Sequence, residues 1–147
     1  MIEKIKQLRE KTGASIGEIQ QALEESGGDV QRATSRLAER LGTIAEKKRE
    51  RKLKAGLVDA YVHSNGRIGV LIEVQCETDF VARNPEFREF VHDLALHAAA
   101  MEPKDVETLL EQEFVKDPGR RVSAVLDQAI GKFGENITIT RFSRFEV

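Results

Sequence analysis

Two runs of strand-forming residues, 57–63 and 68–74, flank Ser64-Asn65-Gly66-Arg67. Asn-Gly between such runs is the strongest short hairpin signal, because the tight turns that match strand twist need positive φ at their centre. A two-residue turn is expected, with His63 opposite Ile68, Tyr61 opposite Val70 and Asp59 opposite Ile72. Val62, Ala60 and Leu71 then share the other face. Both faces are partly apolar, so the hairpin cannot be a free ribbon and belongs in a small sheet covered by helices. Residues 136–147 supply a third strand, since Ile137, Ile139, Phe142 and Phe145 punctuate a run of strand formers. The fold class that follows is α+β, with an antiparallel three-stranded sheet.

Ahead of the hairpin the period changes from two to helical. Ile2, Ile5 and Leu8 recur along one face, and Gly13 follows Thr12 as a helix-ending residue does. Ser15 and Glu18 make a capping box, after which Ile16, Ile19, Ala22 and Leu23 form a stripe that stops at Gly27-Gly28. Asp29 caps a third segment carrying Val30, Ala33, Leu37 and Leu41, which is expected to end at Gly42. These helices predict a compact three-helix bundle over residues 1–42.

Residues 46–54 hold six basic and two acidic side chains. Two readings are open. A basic helix could meet a phosphate backbone, but this one lacks interleaved aromatics for stacking, and a solvated, semi-rigid linker helix over residues 43–56 is the preferred reading. The core is then expected over residues 57–147. Its clearest helix follows Asn84 as cap and Pro85 at the first position, with Phe87, Phe90, Val91, Leu94, Ala98 and Met101 on one face. A short acidic stretch, 104–113, precedes a second amphipathic run through Val122, Val125, Leu126, Ala129, Ile130 and Phe133, which Gly134 ends.

Between the hairpin and the Pro85 helix stands Cys76-Glu77-Thr78-Asp79-Phe80-Val81-Ala82-Arg83-Asn84, a strand-to-helix connection of the kind that carries function. Thr78 can cap a turn beginning at Asp79. Phe80 then either fills its own core or is presented outward, and the pattern of residues leaves both open.

Catalytic readings find little support. His63, His92, His97 and Cys76 are the residues offering imidazole or thiolate chemistry, and none falls at a local ligand spacing. His92 and His97 are five apart, which on a helix puts them on different faces. Cys76 reads as a small buried thiol at a strand end, and a lone cysteine excludes an internal disulfide framework. No phosphate-binding glycine-lysine loop is present, so neither nucleotide nor any cofactor or metal is expected to bind directly. A net charge of -2 with a pI of about 6.0 gives no global field for nucleic acid. With no run of membrane-span length and no apolar leader at the start, a cytoplasmic protein is expected.

Thr78-Asp79-Phe80-Val81-Ala82-Arg83-Asn84, preceded by Cys76-Glu77, resembles the signature of the elongation factor Ts family, the nucleotide exchange factors of elongation factor Tu. Leu8-Arg9-Glu10-Lys11-Thr12-Gly13-Ala14 is similar to that family's opening pattern, and Gly134-Glu135-Asn136-Ile137 with Arg141-Phe142-Ser143-Arg144-Phe145-Glu146 to its C-terminal part. The resemblance implies that the bundle is of the ubiquitin-associated type. It also implies that the protein is not an enzyme but a guanine nucleotide exchange factor in translation elongation. Thr78, Asp79, Phe80 and Val81 would contact elongation factor Tu and dislodge its magnesium ion, while Arg9 and Ile16 of the bundle would grip it a second time. The family usually continues its opening with Gly-Met-Met-Asp where this chain has Ser15-Ile16-Gly17-Glu18. It also carries a further helical segment after the equivalent of Pro103, here cut to a few residues, whose contacts are not carried over. Some compact relatives have cysteine where Ser143 stands, so no disulfide-locked dimer is implied, although a single core module suggests a homodimer through the core domain. The alternative function is a peptide- or RNA-binding module using the bundle and the basic linker. Salt separates the two, because phosphate contacts weaken steeply with ionic strength whereas burial of an aromatic does not.

Overall fold

The structure, a computed structural model, describes all 147 residues, and no helix in it is long and apolar enough to cross a membrane. Three helices open the chain. The first, α1 (Ile2–Thr12), closes on Gly13, whose φ of 70° is the left-handed cap that glycine adopts without strain. α2 (Ile16–Glu25) begins in the expected capping box: Ser15 Oγ accepts the Glu18 N–H, and the Glu18 carboxylate accepts the Ser15 N–H at 2.8 Å. α3 (Val30–Lys48) begins at Asp29, whose carboxylate accepts the Arg32 N–H. Their stripes bring Leu8, Ile19, Ala22, Leu23, Ala33 and Leu37 into one cluster. Ile2 and Ile16 stay outside it.

α3 corrects the sequence reading. It does not stop at Gly42, and no separate linker helix occupies 43–56. The helix runs on to Lys48, residues 49–54 are turns and irregular chain, and β1 (Ala55–Val62) follows. The reason is packing against α7 (Val122–Phe133). A Cβ at Gly42 would stand 3.7 Å from Asp127 Oδ2, and one at Gly131 would come within 2.7 Å of Leu41 Cδ2. Glycine inside a helix costs about 1 kcal/mol relative to alanine, too little to end a helix whose next turn is packed against the core. One turn further on, Ala45 is buried in the larger core. Across the same junction Arg120 donates to the Lys11 carbonyl at 3.1 Å. The last turns of α3 are therefore a wall shared by bundle and core, where a spacer was expected.

The sheet is antiparallel, with β2 (Ile68–Cys76) between β1 and β5 (Thr138–Glu146). Tyr61 faces Val70 and Asp59 faces Ile72, in the expected register. The turn, however, is wider than two residues: Gly66 N–H donates to His63 O at 2.8 Å, and His63 N–H donates to Ile68 O at 2.9 Å. That register leaves 64–67 in the loop, and the turn closes through Gly66 at φ 70°. Between β2 and β5 the register slips at Glu73/Val74, leaving Thr140 as a bulge.

The sheet is covered by helices as expected, and that cover lies on one face. α5 (Pro85–Met101) lies across β1 and β2, and α7 packs on α5. Asn84 Oδ1 caps α5 through the Glu86 N–H at 2.8 Å, and Phe87, Val91, Leu94 and Ala98 are buried as expected, whereas Met101 at its end is exposed. The opposite face presents Val58, Val62, Leu71 and Phe145, all more than half exposed.

The pattern also missed three elements: α6 (Val106–Glu111), capped by Asp105, and the two strands of a ribbon, β3 (Glu113–Phe114) and β4 (Asp117–Arg121). Pro118 and Gly119 disguise β4, since both are depleted in strands. His97 fastens this ribbon to α5. Its buried ring stacks on Phe114 at 5.8 Å, Nε2 donates to Gln112 Oε1 at 2.9 Å, and Nδ1 accepts the Val115 N–H at 3.1 Å. An acceptor at Nδ1 means a neutral imidazole, and burial holds its pKa below the ordinary 6.5 against the opposing Gln112 bond. A folded pKa below the unfolded one gives a contribution fully present above the unfolded value and lost progressively as pH falls from there through the folded value. The parent is therefore expected to lose more melting temperature between about pH 7.5 and about pH 5.5 than a His97→Gln variant. Equal losses would remove His97 from the account.

Candidate partner-binding site

β2 ends at Cys76, and two residues later the chain turns into α4 (Asp79–Ala82), a single helical turn. Thr78 caps it, its Oγ1 accepting the Val81 N–H at 3.3 Å. Such a turn has no stability of its own, because helices this short do not repay their nucleation cost. It is held from below by Val81 and Ala82, which are 4% and 6% exposed in the core. With 100° between successive residues, anchoring Val81 and Ala82 inward turns the preceding positions outward. Phe80 is 84% exposed, and this resolves the two orientations left open by the pattern. Val81, grouped with Thr78, Asp79 and Phe80 as an expected partner contact, has its side chain in the core, where it supports the turn. Asp79 is exposed in the first turn of α4 and its carboxylate makes no hydrogen bond or ion pair within the chain.

The turn is also held from the side. Gly134, left-handed at φ 73°, ends α7 and swings Glu135 beneath the connection. Glu135 Oε1 accepts the N–H groups of Glu77 and Thr78, both at 3.0 Å, and Oε2 accepts the Thr78 hydroxyl at 2.6 Å. The exchange is mutual: Glu77 Oε1 accepts the Asn136 N–H at 2.8 Å. Asn136, itself buried, donates from Nδ2 to the carbonyls of Arg51 at 2.9 Å and Arg49 at 3.3 Å. Residues 49–51, 77–78 and 135–136 thus form one knot. The spacing of apolar residues carries no trace of it, because the bonds join positions 57 to 59 apart and 85 to 87 apart.

Cys76 is buried beneath this knot with Sγ 3.3 Å from the Thr78 carbonyl. Burial first, and the Glu135 carboxylate second, push its thiol above the ordinary value, so it stays protonated. The histidines are engaged elsewhere: His63 with Tyr61, His92 with Asp59, His97 with Gln112. In the basic segment Arg49 pairs with Glu46 at 3.0 Å and Arg51 lies 3.7 Å from Glu77, so part of its charge is answered locally. The other two expected contacts lie on the bundle. Arg9 is exposed on α1, and Ile16, 47% exposed, is the first residue of α2.

Comparison with known proteins bears on this arrangement. A family model described as elongation factor TS matches residues 77–147, from the knot to the end of the chain. The elongation factor Ts of Rubrobacter xylanophilus is 44% identical, the match covering 99% of this chain and 98% of that protein. That of Thermotoga neapolitana is 38% identical over 97% of this chain and 94% of its own length. The first match extends over 191 positions while this chain has 147 residues, so at least 44 of those positions have no counterpart here.

Proposed function

This chain belongs to the elongation factor Ts family, and from that premise we propose that it is a guanine nucleotide exchange factor, not an enzyme, that binds elongation factor Tu carrying GDP and promotes GDP release during translation elongation. The observation that carries this reading is Phe80, a large aromatic held outward on a turn fixed on two sides. The physics is linkage: a partner that binds the nucleotide-free state better than the loaded state weakens nucleotide binding by the same factor. Phe80 inserts between elements of the GTPase beside its magnesium ion, Asp79 enters with it, and Thr78 keeps the turn closed behind them. Burying one phenylalanine contributes roughly 1.5–3 kcal/mol, which corresponds to about tenfold to a hundredfold if realised only in the open state. The protein binds no nucleotide of its own in this reading and acts in the cytoplasm. The local pairing of Arg49 and Arg51 weighs against the competing RNA reading.

Release of fluorescent GDP from elongation factor Tu, with and without this protein, tests the proposal; no acceleration at saturating protein would overturn it. The bundle supplies the second grip through Arg9 and Ile16. Since both side chains are exposed, Arg9→Ala with Ile16→Ala is expected to leave the melting temperature unchanged while weakening the complex roughly tenfold. Titration calorimetry returning the parent affinity would remove the bundle from the interface. The open sheet face, with Leu71 and Phe145 exposed, supports a homodimer through the core domain. Sedimentation at several concentrations decides it, a strict monomer at tens of micromolar counting against the dimer.

A further inference from the structure

We propose that Glu135 is a positioning residue for nucleotide exchange: its carboxylate clamps Glu77 and Thr78 so that α4 presents Phe80 already ordered. The inference rests on the exchange-factor reading and adds to it a residue on a different element from the signature. Three observations support it. All three hydrogen bonds accepted by Glu135 come from the two residues that enter α4, and none from α7, the helix it follows. The Thr78 hydroxyl that donates to Glu135 is the same group that accepts the Val81 N–H, so clamp and cap are in series. Finally, α4 is too short to persist without such support.

Without the clamp, Val81 and Ala82 still hold the turn to the core, but residues 77–80 sample other conformations. The ordering cost then falls on the step in which Phe80 enters its partner. Contacts made by the bundle are untouched, so the loss belongs to the rate at saturation and not to half-saturation. Glutamine keeps an acceptor for the two backbone N–H groups and turns the other contact round, its amide donating to Thr78 Oγ1. That exchange costs little, because Thr78 is exposed and its hydroxyl hydrogen can turn to water.

The test compares parent, Glu135→Ala and Glu135→Gln on the full chain. For Glu135→Ala, hydrogen exchange of the Val81 to Arg83 amides, which donate to Thr78 and Asp79, is expected in the free protein to speed up at least tenfold, and GDP release at saturation to slow by roughly tenfold, with half-saturation within about threefold of the parent. Glu135→Gln is expected to recover most of both. On a Phe80→Ala background, Glu135→Ala is expected to add nothing, since the two act through the same side chain. A variant with unchanged amide protection, or one that slows release equally with and without Phe80, overturns the clamp. If the parent itself fails to accelerate release, the exchange-factor reading falls, and the clamp's role in exchange falls with it; a parent that accelerates release beside a Glu135→Ala protein that does so equally well refutes the clamp alone.

Discussion

Phe80→Ala is expected to melt within about 2 °C of the parent and to slow GDP release from elongation factor Tu by about tenfold to a hundredfold. The combination is unusual, because truncating phenylalanine in a small domain ordinarily unfolds a good part of it. Here the ring is 84% exposed and contributes little to the fold it rides on. On the proposed mechanism its burial is deferred to the complex, where the whole of the transfer term would be realised at once. Asp79→Ala is expected to behave similarly but more mildly. Paired circular-dichroism melts and release rates on the same preparation check this. A destabilised Phe80→Ala protein that exchanged at the parent rate, after correction for folded fraction, would defeat the wedge.

Seven residues along, the same substitution gives the opposite result. Phe87 is fully buried, meets Phe133 edge-on at 5.7 Å and lies 6.3 Å from Phe90, so it joins α5 to α7. Phe87→Ala leaves a cavity among rings that cannot collapse onto one another. It is expected to cost about 3–5 kcal/mol, which for a chain of this size lowers the melting temperature by roughly 10 °C or more. Per folded molecule, its exchange rate should match the parent. A Phe87→Ala protein that melted like the parent would mean that this part of the core is packed differently.

The contrast between these two rings marks the limit of what the sequence makes legible. Phe87 sits in a repeating stripe behind Asn84 and Pro85, and periodicity alone buries it. Phe80 has no periodic neighbours, and its orientation follows only once Val81 and Ala82 are known to be anchored. The hairpin register was legible because two strand-forming runs stand a few residues apart, although the turn between them is wider than Asn65-Gly66 suggests, and the caps at Ser15, Asp29 and Asn84 because their side chains act within a few residues. What escaped was long-range or compensated. Gly42 looks like a stop until the side of α7 that it faces is in view, and the ribbon of β3 and β4 hides behind Pro118 and Gly119. Glu135 carries no local signal at all, its partners lying 57 and 58 positions away.

The unbroken run of α3 from the bundle into its contact with α7 has a further consequence for recognition. A flexible tether would let two binding surfaces find their targets at many separations, raising local concentration without regard to the partner's shape. A continuous helix locked at both ends works as a caliper. It holds the Arg9 and Ile16 surface and the Phe80 turn at one span and one angle, so if both make the contacts proposed above, they engage together only a partner whose own two sites stand at that span. On the exchange-factor proposal, a partner that alternates between open and closed forms would then be measured as well as bound, the jaw setting of this chain selecting the form that fits.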